Sequence, residues 1–310
     1  MLNSHSVGWQ NGQWLPLADI RLSVDDLGCL QGVMVVDRLR TVGGRPLDAV
    51  QHVQRWSSGC RQLGFDVTTS GLTSELILEL AERNLESIAG DCGIVLLGTP
   101  GRAGVNAGKE PTVIAHATSI PWKSLRHYYE HGQPLQIVAQ QIVPDACWPL
   151  QVKNRARINY YVADAVARQT LHDPLAAGLL VAPSNSGELC LAETSSANVL
   201  LIERDGGGLR LVSPPETQSL NGLSLQRTIR LATALGIRVE RQELPLDRGL
   251  GGVALLLTGS TGCLWRARSL NDRLYQPTRE ADELWQLLRE AWVVDIGLDF
   301  VAQATKLGAS

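Results

Sequence analysis

The chain has 310 residues, of which 44% are hydrophobic and 19% are charged, a composition typical of a globular protein large enough for two domains. Its formal net charge of -3 provides no positive field for nucleic acid, and the sequence has no run of lysine and arginine that would bind a membrane surface. Small molecules are therefore the expected partners, rather than nucleic acid or a membrane.

The cysteines and the N-terminus indicate the cellular compartment. The six cysteines are scattered and form no C-x-x-C pair, so we expect reduced and mostly buried side chains. The first residues lack the charged and apolar pattern of a secretory signal, and no apolar run reaches the length of a membrane span. These features predict a cytoplasmic protein.

The first part of the chain mixes predicted strands and helices. Asn11-Gly12 is a strong signal for a hairpin turn. Apolar periodicity and turn residues then predict four strands and two helices. The strands are predicted over 33–36, 38–42, 93–97 and 112–118, and the helices over 47–64 and 73–88. This order predicts a small α+β domain over residues 1–118.

The second part of the chain is predicted to be richer in strands. Residues 119–134 are predicted to connect two domains, because Pro121 and Pro134 bracket a polar segment. The larger domain, residues 135–310, begins with a strand over 135–143 and continues with closely spaced strands separated by glycine turns. The further strands are predicted over 178–183, 188–192, 197–203, 209–213, 237–243 and 252–257, and helices over 224–235 and 280–306. This spacing predicts a barrel-like sheet.

Lys153 is the first candidate for chemistry, because only four of the 28 basic residues are lysines. It precedes a stretch whose apolar residues recur at three- and four-residue steps, which predicts a helix with one apolar face. Those apolar residues are Ile158, Tyr161, Val162, Ala165 and Val166. A lysine held near a core has a lowered pKa and can form a Schiff base with a carbonyl group. A solvated lysine at a helix start fits the same pattern.

Three later segments carry polar groups suited to a cofactor. Glu193 ends an apolar strand before a polar turn, so its carboxylate needs a cationic or protonated partner if it is buried, although capping of turn amides also explains it. Asn221-Gly-Leu-Ser224 opens a predicted helix whose free amides suit an anion, although Ser224 also suits a plain N-cap. The turn Thr258-Gly-Ser-Thr-Gly262 offers hydroxyls and amides to a phosphate, as an ordinary glycine turn does.

The order of these features along the chain is more specific than any one of them. Arg55 lies on a predicted helix in His52-Val-Gln-Arg55, where it suits an oxyanion or a surface carboxylate. From about Asp26 to Arg268, the order resembles the class IV family of pyridoxal-phosphate enzymes, which includes branched-chain and D-amino-acid aminotransferases and 4-amino-4-deoxychorismate lyase. The resemblance implies fold type IV, an α+β fold with a small N-terminal α/β domain and a larger barrel-like C-terminal domain.

The resemblance also implies roles for single residues. Lys153 corresponds to the family lysine that forms the Schiff base with pyridoxal 5'-phosphate and moves the proton. Glu193 corresponds to the glutamate that pairs with the pyridine nitrogen, and Arg55 to the arginine that binds the phosphate. The remaining phosphate site matches Gly222, Leu223, Ser224, Ser260 and Thr261.

The chain departs from the family pattern in the segments related to the substrate. Val36 and Asp37 stand where tyrosine and glutamate are usual, and Gly98-Thr-Pro-Gly101 replaces a frequent Thr-Arg-Gly. The resemblance therefore does not imply which substrate is used. The candidate substrate-binding residues are Arg40, Thr99, Arg102 and Arg157.

The resemblance predicts an aminotransferase that moves an amino group between an amino acid and a 2-keto acid. A lyase that releases pyruvate from aminodeoxychorismate, and a binding protein without turnover, fit the same cofactor residues. A zinc hydrolase is a further alternative, since His127, Glu130 and His131 have the H-x-x-E-H spacing; no other metal site is expected. In the family, the active site lies between the domains and is completed by a second subunit, so the resemblance predicts a homodimer.

Overall fold

The computed structural model describes residues 6–88, 90–276 and 278–309. The chain divides into two compact units. The first consists of Met1–Ile120 with Val152–Ala156, and the second of Pro121–Gln151 with Arg157–Ser310. The short segment that contains Lys153 therefore belongs to the first unit, although the predicted domain boundaries place it in the second.

The first unit is built on a six-stranded antiparallel sheet. Its strands are β1 (Val7–Gln10), β2 (Gln13–Pro16), β3 (Val35–Val42), β4 (Arg45–Pro46), β5 (Cys92–Thr99) and β6 (Thr112–Ser119), in the order β2-β1-β6-β5-β3-β4. Its helices are α1 (Leu27–Leu30), α2 (Ala49–Gln62) and α3 (Ser74–Arg83). The predicted hairpin turn is confirmed, since Asn11 and Gly12 both have positive φ angles, 46° and 88°.

The core of the first unit lies between the sheet and helices α2 and α3. Leu39 and Ile94 of the sheet pack with Trp56 of α2 and Leu80 of α3, and all four side chains are buried. Val152 joins the same cluster. Burial of these large apolar groups supplies the main stabilising free energy of the unit, and it also fixes the chain segment next to Lys153.

The second unit is built on a larger sheet. Its strands are β7 (Gln133–Gln141), β8 (Ala177–Pro183), β9 (Leu189–Thr194), β10 (Asn198–Asp205), β11 (Gly208–Ser213), β12 (Val239–Arg241), β13 (Ala254–Gly259), β14 (Cys263–Leu270) and β15 (Arg273–Leu274). Its helices are α4 (Trp122–His131), α5 (Ile158–Leu171), α6 (Leu223–Ala234), α7 (Leu246–Gly251), α8 (Arg279–Ile296) and α9 (Phe300–Leu307). The segment predicted as a connector thus contains a helix, α4, and belongs almost entirely to this unit.

Six strands of the second unit close into a ring. The sheet order is β12-β11-β10-β13-β14-β7-β8-β9, and β9 also pairs with β10. The closing contact pairs Asn198 with Glu193. The ring confirms the predicted barrel-like sheet, and it places Glu193 at the seam.

Helix α5 corrects one prediction about its apolar face. Ile158 and Tyr161, predicted to face a core, are 79% and 76% exposed. The buried residues of the helix are Ala163 and Ala167. Small side chains face the sheet because α5 lies very close to β8 at Gly178, where an added Cβ would lie 2.6 Å from the backbone of Ala163. The apolar spacing identified a helix correctly but not which face is covered.

The C-terminal helix predicted over 280–306 is interrupted. Gly297 has a φ of 71° and ends α8, because this left-handed conformation cannot continue a right-handed helix. Asp299 then caps α9 by accepting hydrogen bonds from the amides of Val301 and Ala302.

The cysteines are all free thiols, and four of the six are buried. Cys29 and Cys147 are exposed. Among the described residues, no helix is long and apolar enough to span a membrane.

The close approach of α5 to β8 gives a test of the packing. Gly178→Ala should lower the free energy of unfolding by about 1–3 kcal/mol, because the new methyl group would collide with backbone atoms rather than a flexible side chain. Guanidinium unfolding measures the change. Gly251→Ala is the matched control, since no atom lies within 4 Å of its added Cβ. Equal unfolding midpoints for the two variants would contradict the packing.

Candidate active site

In the first unit, the segment around Lys153 is fixed along the edge of β3. The amide of Val36 donates to the carbonyl of Lys153 at 2.8 Å, and the amide of Arg155 donates to the carbonyl of Met34 at 2.9 Å. Asn154 pairs with Val35 as an antiparallel bridge between these two bonds. The backbone of Lys153 is therefore held like a short added strand, while its side chain is half-buried.

Next to this edge, β3 carries a buried carboxylate with two basic partners. The side chain of Asp37 is 0% exposed. Arg55 donates to both of its oxygens at 2.8 Å, and Nδ1 of His52 lies 2.7 Å from Oδ1. Burial by itself raises the pKa of Asp37, but the charges and hydrogen bonds of Arg55 and His52 outweigh it and hold the pKa well below its usual range. Asp37 therefore stays ionised and fixes the orientation of Arg55.

In the second unit, Glu193 is a buried carboxylate at the seam of the ring. It is 7% exposed. Its oxygens accept hydrogen bonds from the hydroxyl of Tyr160 at 2.6 Å, from Nδ2 of Asn198 at 3.1 Å and from the amide of Leu220 at 3.0 Å. Three donors on one carboxylate stabilise its ionised form.

Tyr160 and Asn198 are site residues that the sequence did not reveal. Burial, followed by the charge and hydrogen bond of Glu193, raises the pKa of Tyr160 well above its usual value, so the hydroxyl keeps its proton and donates. Arg157, a predicted substrate residue, lies over the Tyr160 ring at 4.1 Å and donates to the carbonyl of Ser195. The sequence did contain a signal for Asn198, since it is a polar residue at the start of an apolar strand. A buried side-chain amide requires hydrogen-bond partners.

The predicted phosphate residues of the second unit lie near the same seam. Gly222 is the N-cap of α6, and no side chain caps this helix start. Ser224 is therefore inside the helix rather than its N-cap. An added Cβ at Gly222 would lie 2.2 Å from Oδ1 of Asn198. Glycine thus lets the helix start lie directly against the residue that holds Glu193.

The turn with Ser260 and Thr261 connects β13 to β14 at the same end of the ring. Thr258, just before it, pairs with Asn198 across the sheet and lies 3.2 Å, hydroxyl to hydroxyl, from Thr228 of α6. The second unit therefore places an anionic carboxylate, the start of a helix and a hydroxyl-bearing turn close together. This set fits a group with a protonated ring nitrogen and a phosphate.

Comparison with known proteins identifies the family. The sequence model of the amino-transferase class IV family matches residues 34–270. The chain belongs to the class IV aminotransferase family. Enzymes of this family use pyridoxal 5'-phosphate, which confirms the predicted family and cofactor.

Solved structures confirm the fold of this class IV aminotransferase. A branched-chain aminotransferase from the archaeon Thermoproteus uzoniensis with norvaline has a TM-score of 0.76 and 16% identity, covering 94% of this chain and 95% of that one. A PLP-bound hypothetical aminotransferase from Mycobacterium tuberculosis has a TM-score of 0.76 and 21% identity, covering 93% and 99%. The branched-chain amino acid aminotransferase of Escherichia coli has a TM-score of 0.76 and 19% identity, covering 91% and 93%. No curated protein sequence matches the chain significantly.

Two predicted substrate-binding residues have buried hydrogen-bond or ion-pair partners inside the first unit. Arg40 is 1% exposed and pairs with Asp91 at 3.7 Å. The buried hydroxyl of Thr99 donates to Asp26 at 2.9 Å. These contacts satisfy polar groups inside the first unit and argue against substrate roles. Arg102, by contrast, is 73% exposed and lies 3.4 Å from Asp25.

The histidine pair of the zinc alternative lies on α4. The rings of His127 and His131 are 4.7 Å apart, centroid to centroid, and Glu130 accepts a hydrogen bond from Arg126 at 2.8 Å. Within residues 6–88, 90–276 and 278–309, no group of three or more histidine, cysteine, aspartate or glutamate side chains could hold a metal ion. The pair therefore lacks the further ligands that a zinc site requires.

The buried charges around Asp37 give a test by pH. Asp37→Asn should cost about 3–5 kcal/mol near neutral pH, because it leaves Arg55 without its buried counterion. The folded-state pKa of Asp37 is lowered, so its contribution is present above the unfolded pKa of about 4 and is lost as pH falls towards the folded value. The difference between wild type and variant should therefore shrink in acid.

Urea unfolding at a series of pH values measures this difference. Asp66→Asn is the control, since Asp66 is exposed and bonds only locally to Thr68. A difference between wild type and Asp37→Asn that stayed constant from neutral to acidic pH would show that Asp37 is not the stabilising anion.

Proposed function

We propose that this class IV aminotransferase moves an amino group between an amino acid and a 2-keto acid, with pyridoxal phosphate as its cofactor and Lys153 as the attachment point. The observation that carries the proposal is the buried carboxylate of Glu193, held by three donors beside the uncapped start of α6. The carboxylate suits a cationic ring nitrogen, and the free amides of the helix start suit a phosphate. Pyridoxal phosphate has both.

Glu193 is proposed to keep the pyridine nitrogen of the cofactor protonated. Asn198 and the amide of Leu220 orient one carboxylate oxygen, and Tyr160 donates to the other. These donors hold the negative charge in place, so a proton on the facing nitrogen is stabilised. When bound, the cofactor supplies an electron sink for the charge that develops on the substrate Cα.

The phosphate is proposed to bind to backbone amides and hydroxyls of the second unit. These are the backbone amides at Gly222, Leu223 and Ser224 and the hydroxyls of Ser260 and Thr261. The family resemblance assigns Arg55 to the phosphate as well. Asp37 supports this role, because its two hydrogen bonds fix the orientation of Arg55.

Lys153 is proposed to attach the cofactor and to carry the proton at the substrate Cα. Its backbone is tied to β3 through Val36, and the neighbouring Val152 is buried in the core of the first unit. A fixed backbone limits the positions open to the amine, which favours repeated proton transfer at one atom.

Visible absorbance tests the role of Lys153. The purified protein, loaded with pyridoxal phosphate and freed of excess cofactor, should show a coloured band that Lys153→Ala abolishes, because the Schiff base with the lysine amine produces it. Lys123→Ala, on the exposed surface of α4, should keep the band. If no band depends on Lys153, the proposed function is wrong.

A panel of amino acids then separates the aminotransferase from the lyase. Bleaching of the band by an amino acid, and its return on adding a 2-keto acid, is the result expected of an aminotransferase. Pyruvate release from aminodeoxychorismate without any keto-acid acceptor would instead favour the lyase. A band that responds to neither would indicate a binding protein without turnover.

We also propose that the protein is a homodimer, as the family resemblance implies. The exposed face of α5, which carries Ile158 and Tyr161 together with Val162 and Val166, supports this, because exposed apolar patches commonly mark interfaces. Ile158→Asp should shift the mass in solution from dimer to monomer, as measured by light scattering after size exclusion. Val294→Asp on α8, at an equally exposed position, should not. A monomeric wild type would contradict the proposal.

A further inference from the structure

One face of the six-stranded sheet in the first unit is not covered by α2 and α3. Side chains alternate along a strand, and on β3 Leu39 packs in the helical core while Asp37 contacts α2. Val36 and Arg38 therefore lie on the opposite face. Since Asn154 pairs with Val35, Lys153 lies opposite Val36 and shares this face.

Arg38 lies across this face towards β6. Its Nη2 donates to the hydroxyl of Thr118 at 3.3 Å. The side chain passes over Gly93, where an added Cβ would lie 3.3 Å from the same nitrogen. Gly93 pairs with Thr118 in the sheet. Because glycine has no side chain, the guanidinium of Arg38 has room to lie there.

The guanidinium of Arg38 lacks the partners that neighbouring arginines have. Arg40 pairs with Asp91, and Arg55 pairs with Asp37. Among the described residues, Arg38 makes no ion pair, and its Nε is buried without a hydrogen-bond partner. Holding a partly buried charge without a counterion costs free energy, and a bound anion would remove that cost.

Other basic groups lie near Arg38 in the first unit. His116 lies in register with Arg38 through Val95 of β5. Burial, and then the nearby charges of Arg155 and Arg38, lower the pKa of His116. Several basic side chains therefore surround the unpartnered edge of Arg38.

We propose that Arg38, positioned by Thr118 and Gly93, binds a carboxylate group of the amino-acid and keto-acid substrates. The planar guanidinium matches a carboxylate through two parallel hydrogen bonds, and Arg38 shares its face with Lys153. This inference rests on the proposed function, because it names how the same site recognises its substrate. Arg38 is thus a substrate-binding residue.

Two carboxylates are compatible with this chemistry. One is the carboxylate on Cα that every substrate carries, and the other is the second carboxylate of a dicarboxylic substrate. Unreactive acids distinguish them, because propionate carries one carboxylate and glutarate carries two.

Calorimetric titration of the cofactor-loaded protein with propionate and with glutarate tests the proposal. Arg38→Gln should weaken binding by about tenfold to a hundredfold, the usual effect of losing charged hydrogen bonds. If Arg38→Gln weakens the binding of glutarate alone, Arg38 binds the second carboxylate of a dicarboxylic substrate. If it weakens the binding of both acids equally, Arg38 binds the carboxylate on Cα. Arg61→Gln on the exposed side of α2 is the control and should bind both acids as the wild type does.

Two further variants separate recognition from folding. Arg38→Lys keeps the charge but not the planar fork, so it should bind more weakly than wild type and more tightly than Arg38→Gln. Thr118→Val keeps the shape of β6 but releases Arg38, and should reduce binding in the same direction. Unchanged affinity in Arg38→Gln, or in Thr118→Val if Arg38→Gln does not fold, overturns the proposal.

Absorbance distinguishes this inference from the proposed function. Arg38→Gln should keep the Lys153-dependent band, because Arg38 is assigned to the substrate rather than the cofactor. Loss of the band in Arg38→Gln would move the residue to cofactor binding and overturn the inference. Absence of the band in the wild type would instead overturn the proposed function, while acid binding to Arg38 remains measurable by calorimetry.

Discussion

The pairing of β9 with β10 is the contact on which the candidate site of the second unit depends. This contact closes the ring of six strands, and it does so at Asn198 and Glu193. The amide of Asn198 bonds both to Glu193 and to the carbonyl of Leu220. One side chain therefore joins the seam, the buried carboxylate and the segment that leads into α6. Without closure, Glu193 would lie on an open strand edge and would be solvated.

The first unit solves a different electrostatic problem, the burial of arginines in a small sheet domain. Arg40 and Arg55 each have a carboxylate partner inside the unit. The formation of such a pair costs free energy, since both charged groups lose their hydration, but the pair then fixes the orientation of both side chains. Arg38 differs because its guanidinium has no such partner among the described residues. That difference separates Arg40 and Arg55, which have buried counterions, from the arginine proposed to bind the substrate.

The sequence predicted most elements of the fold but not all of their partners. The hairpin turn at Asn11-Gly12 and the strands after Gly178 were correctly predicted. Both features depend on residues that are close together in the sequence. The prediction of the buried face of α5 was wrong, because the spacing of apolar residues does not show which face packs on the sheet. The split of the last helix at Gly297 was also missed. A glycine inside an apolar pattern is tolerated in many helices, and only its φ angle decides that it ends this one.

The sequence by itself determined the types of chemical group and their order along the chain: an arginine, a lysine, a glutamate and two anion-binding turns. It did so because each type is tied to a local signal, such as a helix start or a strand end. Only the tertiary structure decided what each group contacts. Lys153 is held by β3, which lies more than a hundred residues earlier, and Arg40 and Thr99 have buried partners distant in sequence. Contacts of that kind depend on strand register and packing, which no local pattern in the sequence specifies.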